Sequence, residues 1–341
     1  MKRILVENLN KLYASIGEKM SLIAPIRQAG QVNFGLWTED AQVDIETLKT
    51  VKSPKDAFFP QSENLYTCYR DGKKMTISPE KLQAERFVVF GMKACDVRGI
   101  AVLDKVFLSD PVDSYYAARR EHGIIVSLAC AQPEESCFCK TFGINCAQPE
   151  GDVVTWLIDG YLYWEPMTKK GEKLTEELSD LLEDTDDTAV AAQKAEIAAI
   201  YEKLPYGNLS LEGWGGDALK EKFDSPLWEQ LYKPCLACGT CTFVCPTCQC
   251  YDIKDYNTGN GVQRYRCWDS CMYSDFTMMA HGNNRTTQMQ RFRQRFMHKL
   301  VYFPATNGGM FSCVGCGRCV EKCPSHLNIV KVIKAFGKEE A

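Results

Sequence analysis

Apolar positions change their period several times along the chain, and each change marks an element. Leu5, Leu9, Leu12 and Ile16 recur at helical spacing, which predicts an opening amphipathic helix. Phe87-Val88-Val89-Phe90 and Ile124-Ile125-Val126-Ser127-Leu128 are short, nearly unbroken apolar runs, the mark of buried strands. Val153–Ile158 and residues 161–164, joined by Asp159-Gly160, predict a hairpin with a type I′ turn. Ser78-Pro79-Glu80 reads as a helix start, with serine as N-cap and proline at the first position. From about residue 171 polarity rises. An acidic helix with Glu176, Glu177, Asp180, Glu183 and Asp184 leads to an alanine-rich helix at 188–203, and the charge run reads as a solvated connector. Beyond Trp214-Gly215-Gly216, Pro226 marks a new segment. There Met289, Phe292, Phe296 and Leu300 form one helical stripe, and residues 327–336 read as a last helix. The pattern divides the chain into an α/β domain at 1–170, a helical connector at 171–228 and a C-terminal domain at 229–341.

Onto this pattern falls a twelve-residue motif that occurs twice. Residues 235–246 read CLACGTCTFVCP and residues 313–324 read CVGCGRCVEKCP. Both fit C-x2-C-G-x-C-x3-C-P, the run of bacterial two-cluster ferredoxins. The first three cysteines of a copy sit on one tight loop. The fourth, held off by three residues and followed by proline, points away and serves the other copy's cluster. One [4Fe–4S] cluster is therefore expected on Cys235, Cys238, Cys241 and Cys323, and a second on Cys313, Cys316, Cys319 and Cys245. Zinc also takes four cysteines, but usually from two separated C-x2–4-C hooks. The copies lie 78 residues apart, too far for a compact ferredoxin. Helices inserted between them predict an all-α, α-helical ferredoxin domain.

Composition narrows the setting. The 341 residues are 45% hydrophobic with a net charge of −4, enough for folded cores and no sign of general nucleic-acid binding. Eighteen cysteines in so long a chain do not suggest a secreted disulfide scaffold. The first twenty residues lack the apolar run of a signal peptide, and no stretch reaches eighteen uncharged apolar residues. Free thiols at metal-ligand spacing then predict a reducing cytoplasm poor in oxygen, with no membrane and no nucleic acid as partner.

Ten cysteines lie outside the repeats. Cys95 and Cys130 follow the two apolar strands, and Cys137 and Cys139 come one short loop later. Loops at the carboxyl ends of adjacent parallel strands converge, so these four thiols form a candidate site for a third cluster or for zinc. Buried apolar cysteines are the alternative. Cys248, Cys250, Cys267 and Cys271 stand near the repeats, as supports to the clusters or as another metal site. Cys68 and Cys146 read as structural. Cys267-x3-Cys271 resembles half of a sirohaem pattern, but its C-x5-C partner is missing. No Asp or Glu occurs from Phe276 to Val320, where Arg285, Arg291, Arg293, Arg295 and Lys299 all fall. Those cations suit anionic clusters better than a nucleic acid, since no aromatic platform is interleaved with them. No dinucleotide or Walker loop is present, and the four histidines are scattered. The residues thus describe an electron carrier without catalysis of its own. A zinc-stabilised nucleic-acid-binding protein and a stand-alone polysulfide reductase using Cys248, Cys250 and Cys271 are the competing readings.

GMKACDVRGIAVLDKVFL, SLACAQPEESCFCKTFG, CLACGTCTFVCPTCQCYD, RYRCWDSCM and CVGCGRCVEKCP, in this order, resemble the β subunits of cytoplasmic NAD(P)-linked [NiFe] sulfhydrogenases. They equally resemble the dicluster electron-transfer subunits of dissimilatory anaerobic sulfite reductases. The resemblance runs over nearly the whole chain. It implies an iron–sulfur relay between an NAD(P)H-oxidising flavoprotein subunit and a terminal reductase or hydrogenase subunit. It also implies that Cys95, Cys130, Cys137 and Cys139 recur in the family, as do Cys248, Cys250 and Cys271, while Cys146 and Cys267 are particular to this chain. Related subunits feed heterodisulfide-reductase-like complexes, which is the alternative destination for the electrons.

Overall fold

The computed structural model describes residues 1–339, so the last two positions of the expected 229–341 domain lie outside the described residues. Its larger sheet has eight strands: β1 (Lys2–Leu5), β2 (Ser21–Gln28), β3 (Gln31–Leu36), β6 (Phe87–Met92), β7 (Gly123–Leu128), β8 (Val153–Ile158), β9 (Tyr161–Pro166) and β10 (Glu183–Asp184). They run in the order β10-β1-β9-β8-β7-β6-β2-β3. The four central strands, β8, β7, β6 and β2, are parallel, and the outer pairings are antiparallel. β6 and β7 are buried at every position, because helices cover both faces. Val88, Phe90, Ile124 and Val126 pack on α1 (Leu9–Gly17), while Phe87, Val89 and Ile125 pack on α2 (Ala94–Phe107) and α3 (Ser114–His122). The expected α/β architecture is thus present in the N-terminal half. In the expected hairpin, Asp159 and Gly160 both have positive φ, 46° and 78°, as a type I′ turn requires.

Three expectations fail locally. Leu5 ends β1 rather than opening a helix, because β9 and β10 pair with that strand from both sides. Ser78 and Pro79 close β5 (Lys74–Pro79), which pairs with β4 (Ser62–Asp71). Proline is tolerated there because β5 is an edge strand, where a missing N–H leaves no ladder bond unmade. The acidic helix stops at Glu177: α4 spans Lys169–Glu177, and Glu183 and Asp184 return to the sheet, where they ion-pair with Arg3 and Lys2. The alanine-rich helix forms as α5 (Thr188–Tyr201).

The segment between the repeats is not all-helical, which corrects the all-α expectation. It carries β11 (Tyr251–Asn257) and β12 (Gly261–Trp268), and β12 pairs with β4 along most of its length. The resulting four-stranded antiparallel sheet, β11-β12-β4-β5, takes one hairpin from each half of the chain. Helical structure follows it along the chain: Gln288–Met297 begins with a Thr287/Gln290 capping box and continues into a π-helical turn, His298–Tyr302. The predicted stripe is real, since Phe292, Phe296 and Leu300 are buried with Trp228, Val332, Ile333 and Phe336, and Met289 packs at its edge. Among the described residues, no helix is long and apolar enough to cross a membrane.

Candidate metal centres

Both repeats fold alike. Gly239 and Gly317 adopt left-handed backbone at φ 74° and 79°, and each opens a single helical turn, Thr240–Phe243 and Arg318–Glu321. A β-carbon at Gly239 would lie 2.4 Å from the Tyr273 hydroxyl, and one at Gly317 2.4 Å from Ser136 Oγ, so glycine is needed for space as well as for φ.

Cys235, Cys238, Cys241 and Cys323 line one cavity, closed by Met272, Phe292, Arg295, Phe296 and Leu327. The fourth cysteine of the second repeat thus joins the first three of the first repeat. In the reciprocal set, Cys245 faces Cys313, Cys316 and Cys319 closely enough for their charges to interact. The N-terminal four also gather. β6 and β7 are neighbours, and Cys130 faces Cys137 and Cys139, with Cys95 beside it. This set touches the second repeat: the Phe138 N–H donates to the Gly315 carbonyl at 2.9 Å, and Cys95 faces Cys316. Among the described residues, no three His, Cys, Asp or Glu side chains crowd to the spacing of a single metal ion.

Two neighbours of the N-terminal set were not foreseen. The Cys146 thiol lies beside Cys139, and the Tyr201 hydroxyl of α5 neighbours Cys139 and accepts from the Lys140 N–H. Nothing in the local sequence marks either residue, since the loop after β7 and a helix some sixty residues on have to fold together first. Cys68 and Cys267 lie on β4 and β12, away from the three sets.

Burial raises most of these thiols. It pushes Cys241 up to about 11 and Cys316 and Cys130 to about 12, with Arg295, Arg318 and Lys93 respectively pulling the other way. At neutral pH such thiols keep their protons unless a metal cation draws the thiolate out. Two of the neighbouring cations come without a carboxylate partner. Of the five basic residues named above, Arg295 and Lys299 are buried against the thiols, each 3% exposed, while Arg293 lies over Phe223 and Arg291 binds backbone carbonyls. Lys299 contacts Cys245 Sγ at 3.4 Å, Thr247 Oγ1 and the Ser312 carbonyl. The Nε of Arg295 is buried with no hydrogen-bond partner, on the wall of the first cavity. Among the described residues, no carboxylate stands within ion-pair distance of either side chain. A buried, unpaired cation costs several kcal/mol, so an anion belongs in that space. A cubane bound by four thiolates is such an anion, and the donor set fits it.

A family model for a 4Fe-4S dicluster domain matches residues 234–327. Over 330 residues, the chain is 32% identical to sulfhydrogenase 2 subunit beta of Pyrococcus furiosus, covering 96% of this chain and 95% of that protein. The chain belongs to the sulfhydrogenase β-subunit family. It is an iron–sulfur, hydrogenase-like oxidoreductase subunit, as the repeats and the quoted segments led one to expect. No solved structure matches it. For this family member the position of Arg295 has a measurable consequence. A unit charge about 10 Å from a redox centre, at an effective dielectric of about 20, is worth roughly 70 mV. Arg295→Met is expected to lower one cluster potential by about that amount, read by anaerobic redox titration followed by EPR. Unchanged potentials would place the guanidinium's charge elsewhere.

Proposed function

We propose that this chain relays electrons through three [4Fe–4S] clusters, held by Cys235/Cys238/Cys241/Cys323, by Cys313/Cys316/Cys319/Cys245 and by Cys95/Cys130/Cys137/Cys139. Such clusters take up and release single electrons; the chain's part is to space, bury and electrically bias them. The observation that carries the reading is a continuous file of thiols. Cys238, the one exposed cysteine among the described residues, shares a cavity with Cys241. Cys241 faces Cys319, Cys319 stands with Cys316, and Cys316 faces Cys95. Cys95 faces Cys130, which stands with Cys137 and Cys139. One end of the file meets solvent and the other lies at the strand ends of the large sheet.

The relative's name, a sulfhydrogenase β subunit, supports a place in a multi-subunit complex. There the chain accepts electrons from an NAD(P)H-oxidising flavoprotein subunit and passes them to a hydrogenase or other terminal reductase in the cytoplasm. Full-length protein purified without oxygen is expected to be brown, to bleach with dithionite, and to hold no fewer than about twelve irons and twelve sulfides. A colourless protein with stoichiometric zinc after anaerobic reconstitution would end this reading. A count near eight would restrict it to the two repeats.

A further inference from the structure

Three of the thiols outside these sets lie together. Cys248 and Cys250 follow the Cys245-Pro246 end of the first repeat, and Cys271 follows β12. The β11–β12 hairpin makes them meet. Tyr251 pairs with Trp268, so the residues just outside that pair are held across from one another. The Asp269 N–H donates to the Cys250 carbonyl at 2.9 Å and secures the closure. The Cys250 and Cys271 thiols are close neighbours, and Cys248 faces both Cys271 and Cys245. A C-x-C pair is thus closed by a cysteine from a strand end. Cys137-Phe138-Cys139 has the same relation to Cys130.

A separate observation concerns Lys55, which comes from the N-terminal half. Its ammonium is buried, donates to the Cys248 carbonyl at 2.7 Å and lies 3.8 Å above the Trp268 ring. Among the described residues, no carboxylate pairs with it. The sulfurs that face it are those of Cys248, Cys245 and Cys250, and Lys299 faces Cys248 as well. Two buried ammonium groups around protonated thiols would leave both charges uncompensated. Three bare thiolates would balance them but repel one another. A Cys250–Cys271 disulfide would remove the negative charge altogether. A cluster bound through the thiolates spreads negative charge over many sulfurs and answers all three objections.

We propose that Cys248, Cys250 and Cys271 hold a fourth iron–sulfur cluster, set against the Cys245 side of the second one. The proposal rests on the relay reading only in assigning Cys245 to the second cluster. Three cysteines leave one iron corner without a thiolate, which separates this site chemically from the other three.

The test is a count of clusters in the anaerobically reconstituted full chain by native mass spectrometry, with iron and sulfide analysis. Four clusters are expected, with one lost in C250S/C271S and one lost in C137S/C139S. Three clusters, unchanged in C250S/C271S but reduced to two in C137S/C139S, would overturn the proposal and leave the three-cluster relay standing. Three clusters with the opposite pattern would remove the N-terminal site and keep this one. One zinc per chain that disappears in C250S/C271S would also overturn the proposal. Should C250S/C271S fail to fold, the wild-type and C137S/C139S counts decide alone: four and three support the site, three and two exclude it.

Discussion

Cys323→Ala is expected to cost the protein about four irons, taken from the cluster whose other ligands lie 82 to 88 residues upstream. The cavity lined by Cys235, Cys238, Cys241 and Cys323 is the reason: removing the last thiol opens one of its four corners. The thiol is also held in place, since Cys323 Sγ accepts from the Leu327 N–H at 3.2 Å and donates to the Leu327 carbonyl at 3.1 Å. EPR of the reduced variant is expected to keep the signal of the Cys313/Cys316/Cys319 cluster. Cys245→Ala is expected to do the reverse, sparing the upstream cluster and losing the downstream one. If Cys323→Ala removed the downstream signal alone, each repeat would hold its own cluster and the cross-ligation would be wrong.

The largest effect on stability is expected at Asp96 and Arg318. Asp96 lies in the first turn of α2, and Arg318 sits between Cys316 and Cys319. Each side chain is 1% exposed, and they meet in a bidentate pair at 2.7 and 2.9 Å. Two further guanidinium donors are taken by the Thr50 carbonyl and hydroxyl. A buried pair of this kind adds little over an apolar replacement, but breaking it strands a charge in low dielectric. Asp96→Ala should therefore destabilise the holoprotein by about 3–5 kcal/mol, read as a lowered urea midpoint under anaerobic conditions. The double change Asp96→Leu with Arg318→Met should recover much of that loss. A single variant within about 1 kcal/mol of the wild type would mean that water reaches the arginine.

Local signals were legible wherever one segment decides its own structure. The apolar runs at Phe87 and Ile124, the Asp159-Gly160 turn and the stripe through Phe292 and Phe296 each carry a period or a turn rule, and all four formed. The two cysteine repeats were legible because ligand geometry imposes spacing on the chain itself. Pairings set by distant partners were not. Residues 251–257, Tyr-Asp-Ile-Lys-Asp-Tyr-Asn, alternate too weakly to announce a strand, and their hairpin is completed by β4 from nearly two hundred residues upstream. Pro79 misled because the same tripeptide that starts helices also ends an edge strand. The buried cations were only half legible. Arg295 and Lys299 stood out in an acid-free stretch, but Lys55 and Lys93 look like surface charges until the fold encloses them.

The cavity of the first repeat also sets an order of events during synthesis. Its walls include Cys235 and Leu327, and its fourth thiol leaves the ribosome 88 residues after its first. At about 5–20 residues per second, that interval is roughly 4–18 s. For nearly all of it Cys235, Cys238 and Cys241 are translated but unclosed, and the β4–β5 hairpin has waited longer still for β11 and β12. Loading of the first cluster is therefore a late step. The nascent loop must be shielded from oxidants and stray metals until Cys323 arrives, and a truncated product ending before it could never be filled.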